Sequence, residues 1–149
     1  MLTELQIGYL AGLLDGEGQV SIAKNIRRDD KKRKRNYALR VEVRIVQRRK
    51  ILLDKLLEWI GAENGSIGGN GLGGHYFVLR FHAEWLRANL PAIIPHLILK
   101  RRQAEIVTEF LSFPRWPGRN GVGEEHWRHR DALKEEVMRL NLDRSNALT

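Results

Sequence analysis

The sequence predicts a small α+β domain, with one four-stranded antiparallel sheet and its helices packed on a single face. Three observations point there. The hydrophobic period switches along the chain in the order helix, hairpin, helix, hairpin, helices. A length of 149 residues suits one domain with a core of its own. One alternating stretch has a charged and polar side, so the sheet surface turned away from the helices must meet something other than apolar core.

Thr3 and Gln6 stand at capping-box spacing ahead of Ile7, Leu10, Leu13 and Leu14. This predicts a helix from about residue 4 that stops within Gly16-Glu17-Gly18. Val20 and Ile22 alternate with Gln19, Ser21 and Ala23, and after a basic stretch Leu39, Val41, Val43 and Ile45 alternate with Ala38, Arg40, Glu42 and Arg44. These are the strands of a hairpin with one aliphatic face and one polar face. Leu52, Leu53, Leu56, Leu57 and Ile60 follow a helical period closed by Gly61 as C-cap. Ser66 to Asn70 and His75 to Phe81 flank a glycine-rich turn and form a second, more apolar hairpin. A short helix from His82 ends at Pro91, another runs from Lys100 to Ser112 and is closed by Pro114, and a last charged one covers Trp127 to Leu142.

Net charge is +8, and its distribution says more than its size: the window Lys24 to Lys50 holds 13 of the 26 Lys and Arg but only 3 of the 18 acids. All the positive excess is local, and a basic patch of this kind favours a polyanionic partner. The competing reading of Arg27 to Arg35 is a solvated loop. The alternating strand that follows favours nucleic acid, because a basic antiparallel ribbon fits the major groove of DNA. On this reading Gln19, Ser21, Asn25, Arg40, Glu42 and Arg44 share the groove face, and Ser66, Asn70 and His75 extend it from the second hairpin. Arg40 and Arg44 are the candidates for guanine, whereas Arg27, Arg28, Lys32, Arg33 and Lys34 meet phosphates. The four Trp residues, Trp59, Trp85, Trp116 and Trp127, read as packing residues.

The chain has no Cys, which excludes disulfides and thiolate metal sites and suits an intracellular setting. Its longest apolar stretch, Leu90 to Leu99, is broken by Pro91, Pro95 and His96 and is too short to span a bilayer. No basic leader with a cleavage site precedes it. The expectation is an untargeted, soluble protein that needs no membrane and no organic cofactor.

Gly8, Gly12 and Gly16 lie in the first predicted helix, where each costs on the order of 1 kcal/mol relative to Ala. Small residues four apart form a groove that admits a second helix, and the competing reading is a helix packed tightly on its own sheet. The end of that helix carries free carbonyls together with Asp15 and Glu17, an unfavourable concentration of negative charge unless a cation is present.

The segment Leu10-Ala11-Gly12-Leu13-Leu14-Asp15-Gly16-Glu17-Gly18 resembles the signature of the LAGLIDADG homing endonucleases, with Leu14 for Ile, Gly16 for the second Ala and Glu17 for the final Asp. The downstream order fits that family's αββαββα core, with its saddle-shaped sheet, over about residues 3 to 113, leaving 114 to 149 as a C-terminal helical extension. The resemblance implies a site-specific cleavage of double-stranded DNA. It implies that motif helices of two halves pack together through Gly8, Ala11, Gly12 and Leu13, with Asp15 capping the partner's helix end. Glu17 and the Gly16 carbonyl would bind Mg2+, for which Mn2+ or Ca2+ could substitute in binding; the competing reading of Glu17 is a solvated acidic turn. Matching single-motif members places Gln47, Arg49 and Lys100 around the attacking water and scissile phosphate, with Arg48 and Lys50 competing for the role of Arg49. Only one copy of the motif is present, so a homodimer acting on an inverted-repeat target is expected. The family also contains catalytically inactive intron maturases and DNA-binding regulators, which form the alternative reading. The length and lack of Cys favour a free-standing intron-encoded enzyme over an intein.

Overall fold

A computed structural model describes residues 1–26, 37–69, 74–113 and 124–146. The element order is α1 (Glu4–Glu17), β1 (Gly18–Ile26), β2 (Tyr37–Gln47), α2 (Lys50–Ile60), β3 (Gly65–Gly69), β4 (Phe77–Phe81), α3 (Ala83–Ile93), α4 (Arg101–Leu111) and α5 (Glu124–Asn146), with single 3-10 turns at Ala62–Asn64 and Ile94–His96. This is the expected α+β succession.

Local chemistry sets the boundaries. The capping box forms as expected: the Gln6 amide donates to Thr3 Oγ1 at 3.1 Å, and the Thr3 amide donates to Gln6 Oε1 at 3.0 Å. Gly61 closes α2 at φ 96°, a backbone state in which only Gly avoids a Cβ clash. The end of α3 differs from expectation. α3 passes through Pro91 and ends at Ile93. The ring sits in the last turn, where few intrahelical bonds remain to be lost, and the amide of Ile94 still donates to Leu90.

The four strands form one antiparallel sheet in the order β1-β2-β4-β3. α2 crosses between the hairpins and delivers β3 to the edge, so β2 and β4 become the central pair. Strand alternation then sorts the residues by face. Val20, Ile22, Val43, Ile45, Leu79 and Phe81 enter the core with Leu10 and Leu14 of α1, Leu53 and Leu56 of α2, Leu86 and Leu90 of α3, and Ile106 and Val107 of α4. Trp85 is buried and stacks on Phe81 at 5.3 Å, while Trp59 and Trp127 are half-buried edge partners of Tyr9 and Tyr37. Trp116 lies outside the described residues.

The C-terminal helix joins this core. Leu133 and Val137 are buried in it, and the Arg130 guanidinium lies 5.2 Å from the Phe110 ring and 5.8 Å from that of Trp127. Burial pushes the Arg130 pKa below its ordinary value. α5 also braces the long first hairpin at both ends. Tyr37 donates to Asp131 at 2.9 Å, and the Asn141 side chain donates to the Val20 carbonyl at 3.2 Å on the edge strand. The Arg102–Glu136 ion pair at 2.8 Å links α4 to α5, but half-exposed pairs are worth at most about 1 kcal/mol; burial carries the docking. Leu133→Ala should therefore lower stability by about 2–5 kcal/mol, read as an earlier urea midpoint at unchanged slope. A midpoint equal to wild type would mean that α5 is not part of the core.

Candidate active site and nucleic-acid interface

The end of α1 is where the sequence concentrates negative charge, and the fold answers it from far along the chain. Lys100, 2% exposed, reaches this end from the start of α4. Its ammonium donates to the carbonyls of Leu14 at 2.5 Å, Asp15 at 3.1 Å and Gly18. A cation at a helix C-terminus also offsets the partial negative charge of the free carbonyls. The contact is reciprocal, since the amides of Ile98, Leu99 and Lys100 donate to the Asp15 carboxylate at 2.8, 3.1 and 3.0 Å. Gly18 is required at this junction: a Cβ there would lie 2.7 Å from Leu14 Cα.

Three α1 residues expected at a helix–helix contact have contacts within this chain. The Asp15 carboxylate caps the backbone ahead of α4 in its own chain. Ala11 is 1% exposed and belongs to the chain's own core, because the 100° helical step points it with Leu10 and Leu14 toward the sheet. Leu13 is partly buried against that same core. The outward face consists instead of Leu5 (79% exposed), Gly8, Tyr9 (46% exposed), Gly12 and Gly16. A Cβ added at any of these three glycines would meet nothing within 4 Å, so tight packing on the chain's own sheet does not explain them.

Glu17 is the exposed last residue of α1, and its carboxylate has no ion pair or hydrogen bond among the described residues. No group of three or more His, Asp or Glu able to hold a metal occurs among the described residues. Gln47 ends β2 opposite Phe77, on the same side of the sheet as Ile45. Of the three cations that follow, Arg48 donates to Tyr76 at 3.0 Å and Lys50 pairs with Asp54 at 3.0 Å. Arg49 alone is exposed and unengaged among the described residues.

The opposite face of the sheet is polar where β1 and β2 pair, with Val46 and Val78 as an apolar cross-strand pair further along it. Gln19, Ser21 and Asn25 of β1 share it with Arg44, Glu42 and Arg40 of β2. The Glu42 carboxylate lies 3.1 Å from Arg44 Nη1 and 4.0 Å from Arg40 Nη2, and Arg44 Nε donates to Gln19 Oε1 at 2.6 Å. Ser66 lies on the same face opposite Arg80. His75 does not extend it: it precedes β4, outside the ladder, and Tyr76, stacked with Arg48 at 5.2 Å, has the parity of Arg80. Arg80 was not among the sequence candidates, because the apolar neighbours Phe77, Leu79 and Phe81 mark its strand as core; its register opposite Arg44 reveals it. Arg27, Arg28, Lys32, Arg33, Lys34 and Asn70 lie outside the described residues. A groove of about 380 Å³ runs between this face and α5, lined by Gln19, Glu42 and Arg44 on the sheet and Met138, Asn141 and Leu142 on the helix.

Lys100→Met keeps the apolar stem and removes the ammonium from three carbonyls. It should cost on the order of 3 kcal/mol, measured by urea unfolding. An unchanged midpoint would show that the ammonium does not hold the helix end.

No protein-family model and no curated protein matches the sequence. Solved structures do match the fold. The homing endonuclease I-CvuI, bound to uncleaved I-CreI target DNA with 2 mM Mg, superposes at TM-score 0.75 with 20% identity, over 92% of this chain and 82% of its own. The archaeal intron-encoded homing endonuclease I-Vdi141I, complexed with DNA, gives 0.71 and 20% over 92% and 84%. The LAGLIDADG homing endonuclease I-LtrWI, bound to its target DNA, gives 0.68 and 17% over 91% of this chain but 45% of its own. The first two are similar in length to this chain, and the third is about twice as long. The chain thus has the fold of the LAGLIDADG homing endonucleases, in a single-motif form.

Proposed function

We propose that the protein is a site-specific endonuclease that acts on double-stranded DNA as a homodimer and uses a divalent cation. The observation that carries this reading is the end of α1. Glu17 projects from a helix whose outward stripe of Gly8, Gly12 and Gly16 is left open by its own chain, with Leu5 exposed beside it. Two copies packed through that face bring two Glu17 carboxylates together beside the sheet. The twofold axis gives two identical reading surfaces and hence a target of inverted half-sites. I-LtrWI, with nearly twice the length, suits the same unit in duplicate.

The donor set fits a hard cation. Glu17 and the adjacent Gly16 carbonyl offer oxygen, as do DNA phosphates, which is the chemistry Mg2+ prefers. One chain supplies a single carboxylate, so the remaining ligands come from DNA, water and the second copy. The bound cation supplies Lewis-acid stabilisation to phosphodiester hydrolysis. In this reading Arg49, unengaged among the described residues, would offset charge developing on the scissile phosphate, and Gln47 would order the attacking water. Lys100 serves by fixing the α1 end that presents Glu17 and by adding positive charge there. No helix among the described residues is long and apolar enough to cross a membrane.

Selection of cleaved duplexes from a randomised inverted-repeat library with Mg2+ tests the activity. Wild type should cut a defined site, while Glu17→Gln should bind that site and leave it intact. Binding without cutting by wild type would reject the nuclease and leave a DNA-binding regulator. Dimerisation is tested separately by Gly12→Arg. Because a Cβ at Gly12 meets nothing in its own chain, the variant subunit should stay folded, with circular dichroism equal to wild type, although it forgoes whatever stability the dimer adds. It should nonetheless run as a monomer by light scattering and lose cleavage. A wild type that is monomeric at the concentrations used for cutting would remove the homodimer.

A further inference from the structure

The register between the two central strands brings about a contact that neither hairpin contains by itself. Arg44 of β2 stands directly opposite Arg80 of β4, with Gln19 beyond it on β1 and Ser66 beyond Arg80 on β3. A row Gln19, Arg44, Arg80, Ser66 therefore crosses the polar face at right angles to the strands. Like charges directly opposite one another destabilise a sheet, so this pair needs an account.

The two guanidinium groups are drawn apart. Arg44 is held toward β1 by Gln19 Oε1 at its Nε and toward its own strand by Glu42 at its Nη1. Arg80 leans the other way, over the bare backbone of β3: a Cβ on Gly68 would lie 3.6 Å from its Nη1. Arg80 is exposed and has no hydrogen bond or ion pair among the described residues. One arginine is thus held by a hydrogen bond and an ion pair, and its neighbour is a free fork beside it.

We propose that Arg44 and Arg80 form a cross-strand base-reading pair, each contacting the O6 and N7 edge of a guanine at neighbouring positions of the DNA half-site, with Gln19 as the positioning residue for Arg44. The inference rests on the sequence-specific DNA binding proposed above and names which bases that surface selects. A guanidinium fork matches the guanine major-groove edge and no other base edge as well. Adjacent strands lie about 4.8 Å apart, close to the ~3.4 Å rise per base pair, so two long side chains on neighbouring strands reach adjacent steps. Ser21 and Ala23 keep the rest of the β1 surface low, and Gly68 does the same on β3, which leaves the two arginines as the prominent donors of the row. Glu42 removes part of the excess charge without covering Arg80.

The test is selection of bound duplexes from a library with randomised inverted half-sites, in Ca2+ and independent of cutting, with wild type, Arg80→Gln, Arg44→Gln and Gln19→Ala. The expected wild-type pool has guanine at two adjacent positions of each half-site. Arg80→Gln relaxes one of them and Arg44→Gln the other, each by on the order of tenfold in preference. Gln19→Ala broadens the Arg44 position alone, an effect that a general loss of stability does not produce. Equal circular dichroism and unfolding midpoints for Arg80→Gln show that the exposed substitution leaves the fold intact. The pairing is overturned if Arg80→Gln leaves the selected sequence unchanged. A uniform loss of affinity with a shallower salt slope would make Arg80 a phosphate contact instead. A wild type that selects no sequence would reject the proposed function itself, and the base-reading pair with it.

Discussion

The reciprocal clasp between the end of α1 and the segment entering α4 is the interaction on which the rest of the candidate site depends. A helix terminus with free carbonyls and two acidic residues in its last turn repels further negative charge, yet it is the place from which Glu17 is presented. Lys100 supplies the missing cation from within the core, and Asp15 returns three hydrogen bonds to the backbone around Lys100. Charge-assisted bonds are the stronger kind, and those of the Lys100 ammonium lie in a buried setting. Both partners are therefore fixed, and the exposed carboxylate of Glu17 projects from a rigid base. The same clasp dictates that Gly18 have no side chain, since β1 must leave the helix against the Leu14 backbone.

From that fixed point the sheet divides its two faces between stability and recognition. One face is aliphatic and packs under α1, α2 and α4. The other collects Arg40, Arg44 and Arg80, an arrangement that costs electrostatic free energy in an isolated domain. Glu42 offsets part of that cost by sitting between two of the three. The remaining positive charge suits a polyanion, whose counterions would be released on contact. α5 contributes without adding to the charge: it braces the long first hairpin through Asp131 and Asn141 and walls one side of the polar groove.

The outward face of α1 has the opposite character. Leu5 and Tyr9 expose apolar surface, and three glycines in the same stripe sacrifice helix propensity with no contact in their own chain to compensate. Exposed apolar surface flanked by small residues suits a second helix backbone approaching closely, and it lies beside the residue that carries the proposed chemistry. Association and catalysis would then share one helix, with its two sides used differently.

What the sequence by itself determined were the features set by near neighbours. The capping box at Thr3 and Gln6, the Gly61 terminator, the alternation of β1 and β2 and the motif from Leu10 to Gly18 all act over a few residues, so local spacing was enough to read them. What only the tertiary structure decided were pairings across long stretches of chain. Asp15 finds hydrogen-bond partners 83 to 85 residues away in its own chain, which no local reading of a helix-end acid reveals. Ala11 has the small size of a helix-contact residue, but the position of the sheet turns it inward. Arg80 sits among Phe77, Leu79 and Phe81, and nothing local distinguishes it from an ordinary exposed strand residue. Its place beside Arg44 exists only because α2 crosses over and makes β2 and β4 the central pair. Spacing along a chain encodes which face a residue shares with its neighbours, whereas which face meets which is decided when distant elements compete for the same core.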